Sequence, residues 1–240
     1  MKKRIDSLLL GRNLVESRAK AQALIMAGEV AVDGKTVVKS GTLVTEEAEI
    51  TLKEPPPFIS RGGIKLDYAL DRFRVDVSLK TVADIGASTG GFTDCLLKRG
   101  ANRVYAIDVG YGQLDYRLRK DSRVTVMERL NARYPIDLPE KVGMITMDVS
   151  FISVEKIIPS VVKLLIEDGY LIVLIKPQFE ARKKEVGKGG VIKQPAIHAL
   201  VLGRFIAWAI KQNLRLKALV ASPILGASGN REFFVLLKLT

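Results

Sequence analysis

Nine consecutive residues, Asp84-Ile85-Gly86-Ala87-Ser88-Thr89-Gly90-Gly91-Phe92, have the composition of a loop that lets the backbone approach a small ligand. Glycine permits a tight turn and carries no Cβ to hold a ligand away. The residues before the loop, Val82-Ala83-Asp84-Ile85, read as a strand, and 92–99 read as a helix. Asp108 ends the next strand, about twenty residues further on, where a carboxylate can accept both hydroxyls of a ribose. Loop and carboxylate together indicate a bound nucleoside without saying which one. The dinucleotide fingerprint G-x-G-x-x-G is absent, because Ser88 stands in place of its second glycine. The same residues also spell G-x-S-x-G, a hydrolase elbow, and Ser88, Asp148 and His198 occur in the matching order. That elbow follows a central strand with others before it, whereas here it follows the first. His198 lies in an apolar helical run, 196–202, and reads as a core or helix-face histidine. A glycine-rich turn can also be only a turn; the spaced Asp108 argues for a ligand.

Four more polar residues fall at or near predicted strand ends: Lys65 before the first strand, Asp148 and Lys176 after later ones, and Glu232 at the start of the last. Lys176 directly follows Ile172-Val173-Leu174-Ile175, an unusual place for a cation. Burial or a neighbouring cation lowers an amine's pKa there, and a carboxylate raises it. Taken singly, each of the four reads better as an ordinary surface or sheet-end charge. Cys95, inside the helix after the loop, reads as a core thiol rather than a nucleophile.

The elements that must hold these residues alternate along the chain. Short β-branched runs at 82–85, 103–108, 124–128, 144–148, 170–175, 216–221 and 233–239 are interleaved with helical stretches at 92–99, 154–165 and 196–212. This pattern predicts an α/β fold with a mostly parallel sheet and helices on both faces, which binds ligands beyond the carboxyl ends of its strands. A smaller module precedes it. Ser17 is a predicted cap for a helix over 18–26 ending at Gly28, and Asp33-Gly34 predicts a hairpin between 30–32 and 36–38. Lys53-Glu54-Pro55-Pro56-Pro57 predicts a stiff linker. The organisation expected is therefore a small domain over 1–54, a linker over 55–59 and a large domain over 60–240.

Composition bounds the partners. The 240 residues carry a formal net charge of +12 and 48% hydrophobic residues. Such a surplus points to a polyanion, either nucleic acid or an anionic membrane surface. One cysteine and one histidine exclude an internal disulfide and a zinc site of the usual kind, so no metal is expected. No stretch approaches the ~20 apolar residues of a membrane span, so no stable membrane insertion is expected and a cytoplasmic location fits. Arg4, Arg12, Arg18 and Lys20 sit near the first module's helix, and Lys35 at its hairpin tip. They read equally as a solvated face or a phosphate-contacting one.

With these residues in place, the chain resembles the bacterial haemolysin A, or TlyA-type, family of rRNA ribose methyltransferases over nearly its whole length. The match is carried jointly by Ser60-Arg61-Gly62-Gly63, the 84–92 loop, Asp148-Val149-Ser150-Phe151-Ile152-Ser153, Lys176-Pro177-Gln178-Phe179-Glu180 and Gly187-Lys188-Gly189-Gly190. The segment 17–28 looks like a small α+β RNA-binding domain of ribosomal-protein type; the rest is similar to an FtsJ-like, Rossmann-like class I methyltransferase domain. The resemblance implies S-adenosyl-L-methionine as cofactor and ribosomal RNA or ribosomal subunits as partner. It also implies a catalytic tetrad falling on Lys65, Asp148, Lys176 and Glu232. The cofactor would be held by Asp84, Gly86, Ser88, Thr89, Gly90, Gly91, Phe92, Asp108 and Asp148. RNA would meet Arg4, Arg12, Arg18, Lys20, Arg61, Arg182, Lys183, Lys184 and Lys188, the last four in a basic, glycine-rich loop expected to be mobile until RNA orders it. A non-catalytic ribosome-assembly factor and a membrane-active protein are the competing readings.

Overall fold

The computed structural model describes residues 2–53 and 56–239, and the side chain of Lys188 is outside that description. Glu54 and Pro55 of the predicted linker lie outside the described residues. Two compact units result, Met1–Pro56 and Pro57–Thr240.

The first unit runs β1 (Lys2–Arg4), α1 (Ile5–Gly11), α2 (Arg18–Met26), β2 (Val30–Val32), β3 (Lys35–Val37), β4 (Leu43–Thr45) and β5 (Ile50–Leu52). Ser17 caps α2 as its sequence position predicts, its hydroxyl accepting the Lys20 N–H at 3.2 Å. Asp33 and Gly34 both have positive φ, 48° and 75°, which matches the strand twist of a two-residue hairpin between β2 and β3. Helix α1 is not among the predicted helices, and it carries Asp6 within an otherwise apolar run. That carboxylate is fully buried in the structure. Arg4 donates to both its oxygens (3.0 and 2.9 Å), Arg18 donates at 3.1 Å and Gln22 at 3.2 Å. These donors, Arg4 foremost, outweigh burial and hold the carboxyl well below the usual carboxylate range. Asp6 thereby joins α1 to α2 over a core of Ile5, Leu9, Ala21, Ile25 and Val30.

The second unit runs α3 (Arg61–Phe73), β6 (Thr81–Ile85), α4 (Gly91–Lys98), β7 (Arg103–Ile107), α5 (Tyr116–Arg119), β8 (Val124–Met127), β9 (Val142–Met147), α6 (Ile158–Val161), β10 (Leu165–Ile175), α7 (Pro177–Glu180), α8 (Pro195–Lys211), β11 (Leu214–Ala221) and β12 (Phe233–Leu239). Its seven strands form one sheet in the order β11-β12-β10-β9-β6-β7-β8. Pairings from β10 through β8 are parallel, and β12 is antiparallel to both its neighbours. Both faces are buried, as a parallel sheet requires. Leu171, Val173 and Ile175 of β10 pack on one side with Leu202, Phe205 and Ala209 of α8. Ile172 and Leu174 pack on the other with Leu66 and Leu70 of α3 and Cys95 and Leu96 of α4. The helix predicted over 154–165 is broken into a 3-10 turn, the short α6 and a second 3-10 turn. Pro159, in the first turn of α6, has no N–H to continue a helix through it.

Replacing Asp6 with Asn keeps the shape of the buried group but removes the charge that Arg4 and Arg18 meet. Losing a charge-assisted network of this kind costs about 2 kcal/mol. Amide hydrogen exchange across α1 and α2 should accelerate accordingly. Because the folded carboxyl is held below its ordinary pKa, the contribution is present above about pH 4 and lost as pH falls below that. Native and D6N proteins should therefore converge in exchange rate in acid.

Candidate active site

The sheet register brings the predicted residues together. Ile85 of β6 is paired with Met147 of β9, so Gly86 and Asp148 follow side by side. Ile175 of β10 is paired with Phe233 of β12, so Lys176 leaves one strand where Glu232 enters its antiparallel neighbour. The chain moves from β6 outward through β7 and β8, then resumes on the opposite side at β9 and β10. The crevice at such a reversal is where open α/β sheets take their ligands.

The loop after β6 is shaped by contacts that exclude side chains. Gly86 has φ 82°, and a Cβ there would lie 2.5 Å from the carbonyl oxygen of Asp148. Gly90 has φ 97°, and a Cβ would lie 2.2 Å from Leu118 Cδ1. Ser88 adopts a left-handed φ of 48°. Its N–H donates to Asp108 Oδ2 at 2.8 Å, and the Gly110 N–H donates to Asp108 Oδ1 at 2.6 Å. Asp108 is thus aimed by two backbone donors, with lone pairs left on both oxygens.

Two cavities meet at Gly86, Ser88, Asp148 and Ser150. One, of about 500 Å³, is lined by Asp108, Val109, Gln113, Leu130, Asn131, Val149 and Ile157 among others. Its mixture of apolar walls and a few polar groups suits a flat heterocycle with a ribose. The other, of about 240 Å³, is lined by Lys65, Thr89, Gly91, Phe92 and Lys176, with Ser60 and Gly62 at the head of α3. Val109, directly after Asp108, and Gln113, five residues after it, are wall residues that the sequence reading did not assign to the site; nor did it assign Ser60, Gly62 and Ser150.

Two sequence-predicted contacts are placed differently. Gly90 shapes the loop without lining either cavity. Asp84 lies beneath the cavities, fully buried, where it cannot reach a ligand. The hydroxyls of Thr93 and Thr146 donate to its two oxygens at 2.7 and 3.0 Å. Burial pushes its carboxyl up to about 7, against the lowering effect of those hydroxyls and aided by the nearby charge of Asp148.

The charged residues form two pairs. Lys65 Nζ, on α3, donates to Glu232 Oε2 at 2.6 Å, with side chains 10% and 3% exposed. Lys176 Nζ lies 2.6 Å from Asp148 Oδ1, and its hydrogen bond goes to Ser150 Oγ at 2.8 Å. Asp148 Oδ1 is buried and accepts no hydrogen bond. The Lys176 ammonium is what that oxygen faces, while the Asp148 residue as a whole lines both cavities.

The hydrolase alternative is not assembled. His198, the chain's one histidine, sits on α8 with Nε2 3.0 Å from the carbonyl oxygen of Ile192 and its ring edge-on to Phe233. Cys95 is buried, and burial pushes its thiol far above the usual range, so it has no thiolate to offer. Among the residues predicted to meet RNA, Arg12 donates to the carbonyls of Glu46 and Ala48, and Arg61 to that of Leu225 at 2.5 Å. Arg4 and Arg18 are tied to Asp6 yet about half exposed. Lys20, Arg182, Lys183 and Lys184 are exposed.

This sheet order and crevice define a methyltransferase-type α/β domain. The FtsJ-like methyltransferase family matches residues 58–239, and the S4 domain matches residues 3–50. The chain belongs to the FtsJ-like methyltransferase family and carries an S4 domain before the catalytic one. It is 41% identical over 239 residues to the 16S/23S rRNA (cytidine-2'-O)-methyltransferase TlyA of Mycobacterium tuberculosis, covering 98% of this chain and 89% of that protein. Identity is also 41% to Hemolysin A of Brachyspira hyodysenteriae, over 96% of this chain and 97% of the relative. A solved structure described as a hemolysin, from Streptococcus thermophilus, superposes with a TM-score of 0.77 at 41% identity, covering 100% of this chain and 89% of its own.

The buried Asp84 makes stability depend on pH. Its folded pKa of about 7 lies above the ordinary 3.8, so the folded state holds the proton more tightly. That favours folding fully below about pH 4, and the advantage is lost as pH rises through 7. Asp84→Asn retains one acceptor and one donor for the two threonines. Its urea midpoint, followed by the fluorescence of the single tryptophan, Trp208, should change less between pH 4 and 7 than that of the native protein.

Proposed function

We propose that the protein transfers a methyl group from S-adenosylmethionine to a ribose 2′-hydroxyl of ribosomal RNA. The observation that carries this reading is the Lys176–Asp148 pair, on a cavity wall shared with the glycine loop. Membership of a methyltransferase family and the cytidine-2'-O specificity in the tuberculosis relative's name support it. The S4 domain and the net charge of +12 support an RNA partner, and such a substrate puts the reaction in the cytoplasm.

The residues fit the cofactor. Asp108, fixed by the backbone at Ser88 and Gly110, would accept the ribose hydroxyls of the nucleoside. Val109, Leu130, Val149 and Ile157 would flank its base, and Gly86 and Gly91 admit the chain that carries the sulfur. S-adenosylmethionine supplies a sulfonium methyl that is already strongly electrophilic. The protein's work is therefore alignment and proton handling. Lys176, with its proton released, would take the proton of the RNA 2′-hydroxyl as the oxygen–methyl bond forms and the sulfur–methyl bond breaks. Asp148, 2.6 Å away, would balance the ammonium that results. Ser150 would hold Lys176 in place. Lys65, kept in position by Glu232, would contact the nucleotide from the α3 side. Only RNA offers the 2′-hydroxyl.

A non-catalytic assembly factor has no use for two assembled lysine–carboxylate pairs at one crevice. The membrane-active reading finds no support in length or hydropathy: among the described residues, no helix is long and apolar enough to cross a membrane.

Methyl transfer from labelled S-adenosylmethionine to unmodified ribosomal subunits tests the proposal, with mapping of the modified nucleotide. Lys176→Ala should lose transfer by a factor of about 100 or more, the scale of a general base, while calorimetric binding of the cofactor persists. Retained transfer would remove Lys176 from the mechanism. Gly86→Ala should do the reverse. Its Cβ meets the fixed carbonyl of Asp148, so cofactor affinity should fall at least tenfold.

A further inference from the structure

The basic loop after α7 is not a free flap. At its near end, Glu185 accepts two hydrogen bonds from Arg204 on α8, at 2.8 and 2.7 Å, and one from the Arg182 N–H at 2.8 Å. The cation and the backbone donor hold the Glu185 carboxyl down at about 2, so this tie is charged at any physiological pH. At its far end, the Ile192 N–H donates to Asn230 Oδ1 at 2.9 Å, and Asn230 Nδ2 donates to the Gly190 carbonyl at 3.0 Å. His198 on α8 meets the Ile192 carbonyl as well. Between these ties, Gly189 and Gly190 take positive φ, 82° and 74°, with open space around them. The loop is thus a strap, fastened at both ends, that presents Lys183 and Lys184 outward.

The two fastenings lead to different places. Glu185–Arg204 ends on α8. Asn230 belongs to the turn that carries Glu232. It is 1% exposed, and its own carbonyl accepts the Gly226 N–H at 2.9 Å. A Cβ on Gly226 would stand 2.4 Å from Glu232 Oε1, so this turn is also the surface against which the Glu232 carboxylate lies. Glu232 in turn holds Lys65 at 2.6 Å.

We infer that Asn230 is a positioning residue that couples the basic strap to the Lys65–Glu232 pair, so that RNA drawn onto the strap sets the geometry of that pair. A buried amide whose donor and acceptor are both spent on one loop's backbone fixes that loop and its own turn as one body. This rests on the RNA methyltransferase reading above, and the test has one arm that does not. In that arm, the ¹⁵Nζ resonance of Lys65 and the amide exchange of residues 182–193 are followed without substrate. Asn230→Ala should speed exchange at Ile192 at least tenfold and shift or broaden the Lys65 signal. Arg204→Ala should speed exchange around Glu185 and leave Lys65 unmoved. A Lys65 signal unchanged in Asn230→Ala, with exchange accelerated, overturns the coupling. In the second arm, at saturating cofactor, Asn230→Ala should lower kcat at least tenfold with KM for ribosomal RNA within threefold of native. Arg204→Ala should raise KM while kcat holds. A kcat within twofold of native in folded Asn230→Ala overturns the inference. Asn230→Asp retains the acceptor for Ile192 but not the donor to Gly190. It should fall between the two in both arms, and stands in if the alanine variant does not fold. A native protein inactive on ribosomal RNA would remove the function proposed above and leave the resonance to decide the coupling.

Discussion

One buried carboxyl holds the site together. Asp84 belongs to β6, Thr93 to α4 and Thr146 to β9, and their hydrogen bonds join the three elements at one point beneath the crevice. A polar group taken out of water is costly unless bonded, so Asp84 is stable only where both threonines reach it. That requirement fixes the turn from β6 into α4, which is the glycine loop. It also fixes the last turn of β9, two residues before Asp148. The shape of the cavities and the position of Asp148 therefore follow from one buried interaction.

The two lysine–carboxylate pairs answer the same electrostatic problem differently. Lys65 and Glu232 are nearly sealed, and each satisfies the other directly. Such a pair adds little net stability but is expensive to break, which suits a fixed wall. Lys176 and Asp148 form an ion pair at 2.6 Å, and the hydrogen bond of Lys176 goes to Ser150, with all three residues on the wall of one cavity. One pair is nearly sealed at the crevice and the other lies on its wall.

Much of this was readable from residue order. The strands of the large sheet follow from β-branched runs, and their polar ends mark the crevice because a parallel sheet gathers its carboxyl ends along one edge. What escaped reading depended on pairing across the fold. Helix α3 is not among the predicted helices, although Leu66, Ala69, Leu70 and Phe73 recur at helical spacing after Ser60; the charges interleaved with them obscure the apolar face. Asp84 was taken for a ligand contact because its position beside the loop is local, whereas its burial depends on Thr146, sixty-two residues away. Asp6 appeared to interrupt an apolar run, and only Arg4, Arg18 and Gln22 together reveal it as the join between two helices. The basic loop looked loose from its glycines; its fastenings come from α8 and the turn before β12.

The Lys65–Glu232 contact spans 167 residues of chain, whereas β6, the glycine loop and β7 lie within one short stretch. Contacts distant in sequence close later, because chain entropy opposes them until most of the fold exists. In a folding molecule the turn from the glycine loop to Asp108 would therefore take shape before the second charge pair closes. The two sides of the crevice would thus mature at separate moments of folding.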